Sequence, residues 1–526
     1  MSDVLALGLL VLGVIVLTPA ADRWGVPQPV LLTIYGLALG LIPHVPIPRL
    51  SPDLILPLVL PPLLFAATQN TSIQQLRGAI RPVLGLAVGL TLLTAALVAV
   101  VAHALGLPWA IAAVLGAVVA PPDPVAATAV AGRLHLPARL VTLLEGEGQF
   151  NDATALVVYQ LSVMAVVAGG VSAGEIGLSL LLAVVGGLGI GIVGGWLTRW
   201  ALGHLHDAAT ETTVTVAVPF AVYLLADHLG ASGVLAVLGT GLFLRARTAG
   251  QVTSGGWLLG KSVWRFVDFL VSGLVFAFLG LELTTVLRSS TELNDASTWG
   301  LTAAVIAVLV LLRTAAMFTA SALAGRRARR RNEGTPAGHR EAAVTAWAGM
   351  RGVVTVATAL ALPATIENGD DFPSRQVVVV VALVVVIVTL VLQGLTLAPL
   401  IRRLGVADDA DTGTDVRRLH HLAAEAALHR LREDDTDTDT DTPEAVVQAV
   451  LRQYENRLDY RRSVTDLVEG DLGGDSAGDH LRRLLATASE AERDAVQRAR
   501  RQGQVSAEAA EVVLFDIESR SLRYET

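Results

Sequence analysis

The sequence predicts an all-α polytopic membrane protein, and three observations carry that prediction: its composition, the return of long apolar runs, and the uneven placement of arginine. Of 526 residues, 53% are hydrophobic and only 16% are charged, and the mean hydropathy is +0.58. Soluble domains carry about a quarter charged residues, so most of this chain is composed for lipid. The charges are also segregated: the first four hundred positions are apolar runs, whereas everything after Leu404 is rich in Asp, Glu, Arg and Thr. That boundary divides the chain into a membrane domain, residues 1–404, and a polar, helix-patterned cytoplasmic region, residues 405–526. The net charge of −8 pools the acidic tail with Arg-bearing membrane loops, and nothing in its pattern suits nucleic acid. With no cysteine, the chain has no disulfide framework, thiolate metal site or cysteine nucleophile. The apolar N-terminus lacks a basic leader and a small-residue cleavage site, and reads as a first span rather than a removed signal.

A hydrocarbon core about 30 Å thick requires roughly 17 to 25 apolar residues per helix. About thirteen stretches qualify, beginning near Val4, Gln28, Leu54, Pro82, Trp109, Gln149, Gly174, Thr212, Ala231, Ser262, Trp299, Ala342 and Gln376. The third is interrupted by proline and the eighth and ninth lie close together, so twelve is the competing count. Basic loop residues arbitrate, because cytoplasmic loops collect Lys and Arg. With the N-terminus outside, the inward loops hold Arg23, Arg77, Arg81, Arg133, Arg139, Arg199, Arg245, Arg247 and the run from Arg326 to Arg331, against Arg49, Arg288 and Arg375 outside. Thirteen spans then place the tail in the cytoplasm of a multi-pass plasma-membrane protein.

An odd count also fits two inverted six-span halves joined by one connecting span. The halves carry matching irregularities: Pro121, Pro122, Asp123 and Pro124 interrupt the fifth span, and Gly349, Met350, Arg351 and Gly352 interrupt the fifth member of the second half. Proline removes backbone donors and glycine loosens a helix, so both spans should cross with unwound middles. Unwound backbone is tolerated at membrane depth only where it lines protein or a cavity. A pair of broken spans marks a substrate site.

Charges inside spans cost about 2.5 to 3.5 kcal/mol each on insertion scales and need a reason. The densest cluster is Glu145, Glu147, Asn151 and Asp152, running into the apolar stretch 153–167. Asp152 is the deepest. Glu147 and Asn151 share a helix face, and Gly148, one turn from Asp152, is expected to lend its carbonyl to whatever Asp152 binds. Asp123, before Pro124, is placed to cap the half-helix that follows it. Arg351 carries a permanent charge, cannot be a proton carrier, and needs an acid; Glu147 is the expected partner. Asp268 is expected to pair with Arg265 in a structural role. Unlike Asp152, Asp227 and His228 sit near a span end, where solvated residues are common.

Together Gly146 with Glu147, Asn151 with Asp152, Asp123-Pro124-Val125-Ala126, Met350-Arg351-Gly352 and residues 278–283 (FLGLEL) resemble the cation:proton antiporters of the NhaP and sodium/proton-exchanger type. The resemblance covers about residues 1 to 404. It implies the NhaA-like antiporter fold, a homodimer, and H+ exchange for Na+, with Li+ or K+ as alternatives and no cofactor. It also implies that Asp152 binds the ion or proton beside Asn151, while Glu147 and Arg351 support the core. Two departures bear on ion preference: many members have Ser where this chain has Gly148, and Thr where it has Pro122, so the first position loses a hydroxyl and the second keeps only its carbonyl.

Rival classes are weaker. Residues 255–262 (GGWLLGKS) match the pattern of a phosphate-binding loop, but that loop needs a strand before it and a helix after it in a soluble α/β unit, and here it lies between membrane spans. His204 and His206 lack the carboxylate-histidine set of a metal site. No zinc-hydrolase or serine-nucleophile motif is present. A cation channel could use an intramembrane Asp, but an electroneutral exchanger carries no current. In the tail, amphipathic helices are expected over residues 416–431, 443–462 and 480–501. The Asp/Thr stretch 434–442 is expected to be an extended linker without an EF-hand's glycine turn.

Overall fold

The computed structural model describes residues 2–43, 52–70, 83–123, 136–167, 173–247, 252–289, 295–331, 338–366, 369–406, 412–437, 475–501 and 507–525, with a few single positions besides. Its chain forms two compact units. The first comprises Met1–His204, Thr213–Ala249 and Val263–Asp408, and the second Leu205–Thr212, Gly250–Ser262 and Asp409–Thr526. Among the described residues the only β pairing is one isolated bridge, Thr365 with Asp371.

The helices follow the apolar runs: α1 (Ser2–Trp24), α2 (Gln28–Leu41), α3 (Pro52–Asn70), α4 (Thr91–Ala104), α5 (Trp109–Val119), α6 (Ala138–Val167), α7 (Ala173–Leu202), α8 (Ala208–His228), α9 (Gly233–Arg247), α10 (Ser254–Ser289), α11 (Ala296–Arg331), α12 (His339–Trp347), α13 (Val353–Leu360) and α14 (Arg375–Leu404). A π-helical turn, Gly85–Leu90, leads into α4. Among the described residues, seven helical segments are long and apolar enough to cross a membrane: Gly85–Ala104, Gly146–Val167, Gly177–Leu202, Ala208–His228, Ser254–Thr285, Ala296–Arg326 and Arg375–Leu404. Shorter apolar helices occupy Leu5–Ala21, Gln28–Leu41, Leu54–Gln69 and Trp109–Val119.

Lipid is as apolar as leucine, so membrane helices associate through close packing rather than through hydrophobic exclusion, and small residues permit the closest approach. The crossing of α2 and α10 depends on this. A methyl on Gly36 would overlap the Ala277 carbonyl, and one on Gly280 would overlap the Thr33 carbonyl and crowd the Leu37 amide. Gly280 belongs to the 278–283 motif, and its reason is helix contact. Around α2, α5, α13 and α14 runs a continuous buried cluster that includes Leu32, Leu115, Val119, Met350, Val356, Val381 and Leu390.

Two exposed acids finish helices just outside the spans. Asp207 accepts hydrogen bonds from the Thr210 amide and hydroxyl at the start of α8, which hold its carboxyl below its ordinary range. Asp295 does the same for Ser297 before α11.

The second unit is a helical assembly of α15 (Thr412–Asp437), α16 (Asp475–Arg501) and α17 (Ala507–Glu525) with the segments 205–212 and 250–262. Leu419, Ala423, Val496, Val513 and Ile517 form its core, with Trp257 packed against them. Residues 434–437 continue α15 as helix instead of an extended linker, and 438–442 lie outside the described residues. Most of the expected helix 443–462 also lies outside them, while α17 was not anticipated. The stretch 255–262 forms the opening turns of α10, where Lys261 Nζ binds Glu511 at 2.9 Å. The phosphate-loop pattern is therefore a helix start. Thr253 caps it by accepting from the Gly256 amide, and the Glu211 carboxylate receives the Thr253 amide and hydroxyl.

Candidate functional site: a crossing of two broken helices

Consecutive prolines deprive α5 of the amides that would extend it, and the chain leaves the helix after Val119. The second break separates α12 from α13 over residues 348–352. The breaks bind each other directly: the Asp123 amide donates to the Met350 carbonyl at 2.7 Å, and the Val353 amide donates to Asp123 Oδ2 at 3.0 Å. A methyl on Gly352 would overlap that carboxylate, so glycine is required there by contact. Asp123 thus caps α13, the far half of the opposite span. The half-helix it was expected to cap, from Pro124 onward, lies outside the described residues.

The expected pair of Glu147 and Arg351 does not form. Arg313, from the middle of α11, takes both oxygens of Glu147, Nη1 to Oε1 at 2.6 Å and Nη2 to Oε2 at 3.0 Å, and its Nε donates to the Thr345 carbonyl. All three residues are buried. A forked guanidinium matches a carboxylate in this bidentate way better than any other side chain. Arg351 is instead held by backbone. It donates to the carbonyls of Val119 at 3.0 Å, Ala120 at 3.4 Å and Gly349, and its own amide donates to Thr389 Oγ1 at 3.1 Å. These carbonyls are free because both helices are broken there, and the guanidinium replaces the missing amide donors. Arg313 was missed because it was read as part of an apolar run. Its signal was present, an arginine with leucines at 311 and 312 and no acid near it on its own helix.

Asn151 is fully buried. Its Nδ2 donates to the Pro122 carbonyl at 3.2 Å, while its Oδ1 has no partner among the described residues. That hydrogen bond ties α6 to the first break. Gly148 lies within the unbroken α6, where helix geometry commits its carbonyl to the amide four residues on. It is a site without a side chain and not an open carbonyl. Asp152 is half-buried, and it makes no hydrogen bond or ion pair among the described residues. Arg265 is exposed and forms no ion pair with Asp268.

The arrangement therefore brings Asp123, Asn151, Pro122 and Arg351 together, and places Glu147 and Asp152 on the same helix as Asn151. One acid is clamped by arginine, one by a backbone amide, and the third, Asp152, has no hydrogen-bond or ion-pair partner among the described residues.

Residues 9–403 match the family described as "Sodium/hydrogen exchanger, transmembrane". An "uncharacterized Na+/H+ exchanger" of Mycobacterium tuberculosis is 31% identical over 97% of this chain and 93% of its own length. A "sodium, potassium, lithium and rubidium/H+ antiporter" of Bacillus subtilis is 26% identical over 97% of this chain and 77% of its own. Among solved structures, the sodium proton antiporter MjNhaP1 from Methanocaldococcus jannaschii aligns with a TM-score of 0.59 and 19% identity. That alignment covers 78% of this chain and all of that one, a likeness of fold.

Proposed function

The chain belongs to the sodium/hydrogen exchanger family, and from that premise we propose that it exchanges protons for sodium, with lithium as a further cargo, through competition at Asp152. The observation that carries this reading is the unequal fate of three acids at the crossing. Glu147 is neutralised by Arg313 and Asp123 is engaged by the Val353 amide, whereas Asp152 is engaged by nothing among the described residues. A bare carboxylate at membrane depth is costly, so it takes up either a proton or a dehydrated cation, and each excludes the other. Asn151, an amide, does not titrate, so one carboxylate cycles per turnover and the exchange is electroneutral. Glu147, Arg313, Arg351 and Asp123 hold the two breaks together and are not the carrier.

Coupling then needs only alternating access, in which the core exposes Asp152 first to one side and then to the other. The helices support thirteen spans when α9 and the broken pair α12 and α13 are added to the long and short apolar helices. The matched breaks support two inverted halves of six spans around one connecting span. The same reading places the N-terminus outside, the tail in the cytoplasm as a regulatory region, and two copies in a dimer. Potassium is the second cargo, because the Bacillus relative's name includes it.

The test is dissipation of a pH gradient in liposomes holding purified protein on addition of Na+, Li+ or K+. Wild type should respond to Na+ most strongly, and Asp152→Asn should respond to none while remaining folded, because the amide keeps the shape but neither titrates nor neutralises a cation. Cation-dependent exchange by the variant would move the carrier elsewhere, first to Asp123.

A further inference from the structure

Buried threonines in these helices commonly dispose of their hydroxyls by donating to the carbonyl four residues back. Thr33 donates to Pro29, Thr94 to Leu90, Thr358 to Val354 and Thr389 to Val385, at 2.6 to 2.9 Å. Thr355 is the exception at the crossing. It is 1% exposed, yet its hydroxyl has no hydrogen-bond partner among the described residues. The break is the cause. Its back-bonding acceptor would be the Arg351 carbonyl, but α13 begins only at Val353, and Gly352 is non-helical at φ −151° and ψ −133°. The carbonyl four residues back is therefore outside the helix, and unwinding frees a hydroxyl that a continuous helix would consume.

A buried hydroxyl without a partner is unfavourable, so a natural core retains one for a reason. Its position supplies the reason. Two residues before it, the Val353 amide holds Asp123. One residue before it, Val354 packs against the cluster containing Ala153 and Leu156, which flank Asp152 on α6. Gly148 and Pro122 offer no side-chain oxygen, and among the described residues the Asn151 amide oxygen is likewise buried without a partner. We propose that Thr355 contributes the side-chain hydroxyl that receives the partly dehydrated cation beside Asp152, so that it sets cation affinity and preference rather than turnover. This rests on Asp152 as the carrier. Selectivity among monovalent cations follows the number and field strength of the oxygens around them, so removing one neutral oxygen should weaken binding unequally among Na+, Li+ and K+.

The test compares wild type, Thr355→Val, Thr355→Ser, Thr358→Val and Asp152→Asn in liposomes, reading KM and maximal rate for each cation, with thermal midpoints of the purified proteins. Thr355→Val keeps the shape and removes a hydroxyl that satisfies nothing among the described residues. Its midpoint should therefore hold or rise, while its KM for the preferred cation rises about tenfold, its maximal rate changes little and the order of preference among the cations shifts. Thr355→Ser should keep the wild-type KM. Thr358→Val should leave KM unchanged, because that hydroxyl is spent on its own helix. An unchanged KM in Thr355→Val with an inactive Asp152→Asn would overturn this proposal alone. A lowered midpoint in Thr355→Val would also overturn it, since the hydroxyl would then be structural. Exchange by Asp152→Asn would overturn the carrier assignment and this proposal with it.

Discussion

Glu147 in the membrane unit and Glu492 in the second unit are equally enclosed, each 2% exposed, yet they are neutralised differently. Among the described residues Glu147 has one ion-pair partner, Arg313, which is itself 5% exposed and binds both oxygens. Glu492 shares the charge of Arg520 with Asp516, at 3.3 Å to each, and also receives the Tyr454 hydroxyl at 3.3 Å. Arg520 keeps 16% of its side chain exposed, so water takes part in compensating it. Where water cannot reach, each charge needs its own fixed counter-group, and the acid without one stands out. Among the described residues Asp152 makes no hydrogen bond or ion pair, and that contrast with Glu147 is what supports proposing it as the carrier.

The largest effect should come from breaking the enclosed pair. Glu147→Gln or Arg313→Met alone leaves an uncompensated buried charge and should cost about 3 to 5 kcal/mol. The double variant should recover most of that loss, whereas combining Glu147→Gln with Arg351→Met should not, because Arg351 is held by carbonyls. Thermal midpoints in detergent read this directly. Equal damage from the single and double changes at 147 and 313 would remove the contrast between the two units.

A smaller effect should follow from Gly352→Ala, whose added methyl must displace the Asp123 carboxylate from the α13 amide. Overpacking of this kind costs about 1 to 3 kcal/mol, and exchange should fall with it because the two breaks lose their joint. Unaltered exchange and midpoint would mean that the contact yields freely. The smallest effect should be in the tail. Lys261 and Glu511 are 21% and 30% exposed, and Lys261→Ala should change stability by about 1 kcal/mol or less, with added salt shrinking the difference further. A loss as large as that at Glu147 would show that exposure does not separate the two regimes.

Much of the fold was legible because lipid imposes a length and a polarity on each span. The expected span starts at Gln28 and Trp109 coincide with helix starts, and the start expected at Gln376 misses by one residue. The apolar span expected from near Gln149 begins at Gly146, while the helix that carries it starts earlier, at Ala138, because acids at 145 and 147 look like a loop when their partner is unseen. The breaks were legible from proline and glycine. Who holds whom was not. The Glu147 to Arg313 pair spans 166 residues and the Asp123 to Val353 bond spans 230, and no local pattern encodes such distances. Arg351 seemed to require an acid because free carbonyls at a helix break are invisible in sequence. Likewise α17 was missed beside the strongly charged segments that precede it, although its buried residues at 509, 510, 513, 514 and 517 keep helical spacing.

The central claim is that a proton and a cation compete for one carboxylate, and proton release on cation binding tests it most directly. Purified protein in weakly buffered detergent solution near neutral pH, titrated with Na+, should release protons in a saturable way, approaching one per cation bound, while Asp152→Asn should release none. Stoichiometric release from Asp152→Asn, or saturable Na+ binding to the wild type with no proton released over the pH range of exchange, would contradict the account.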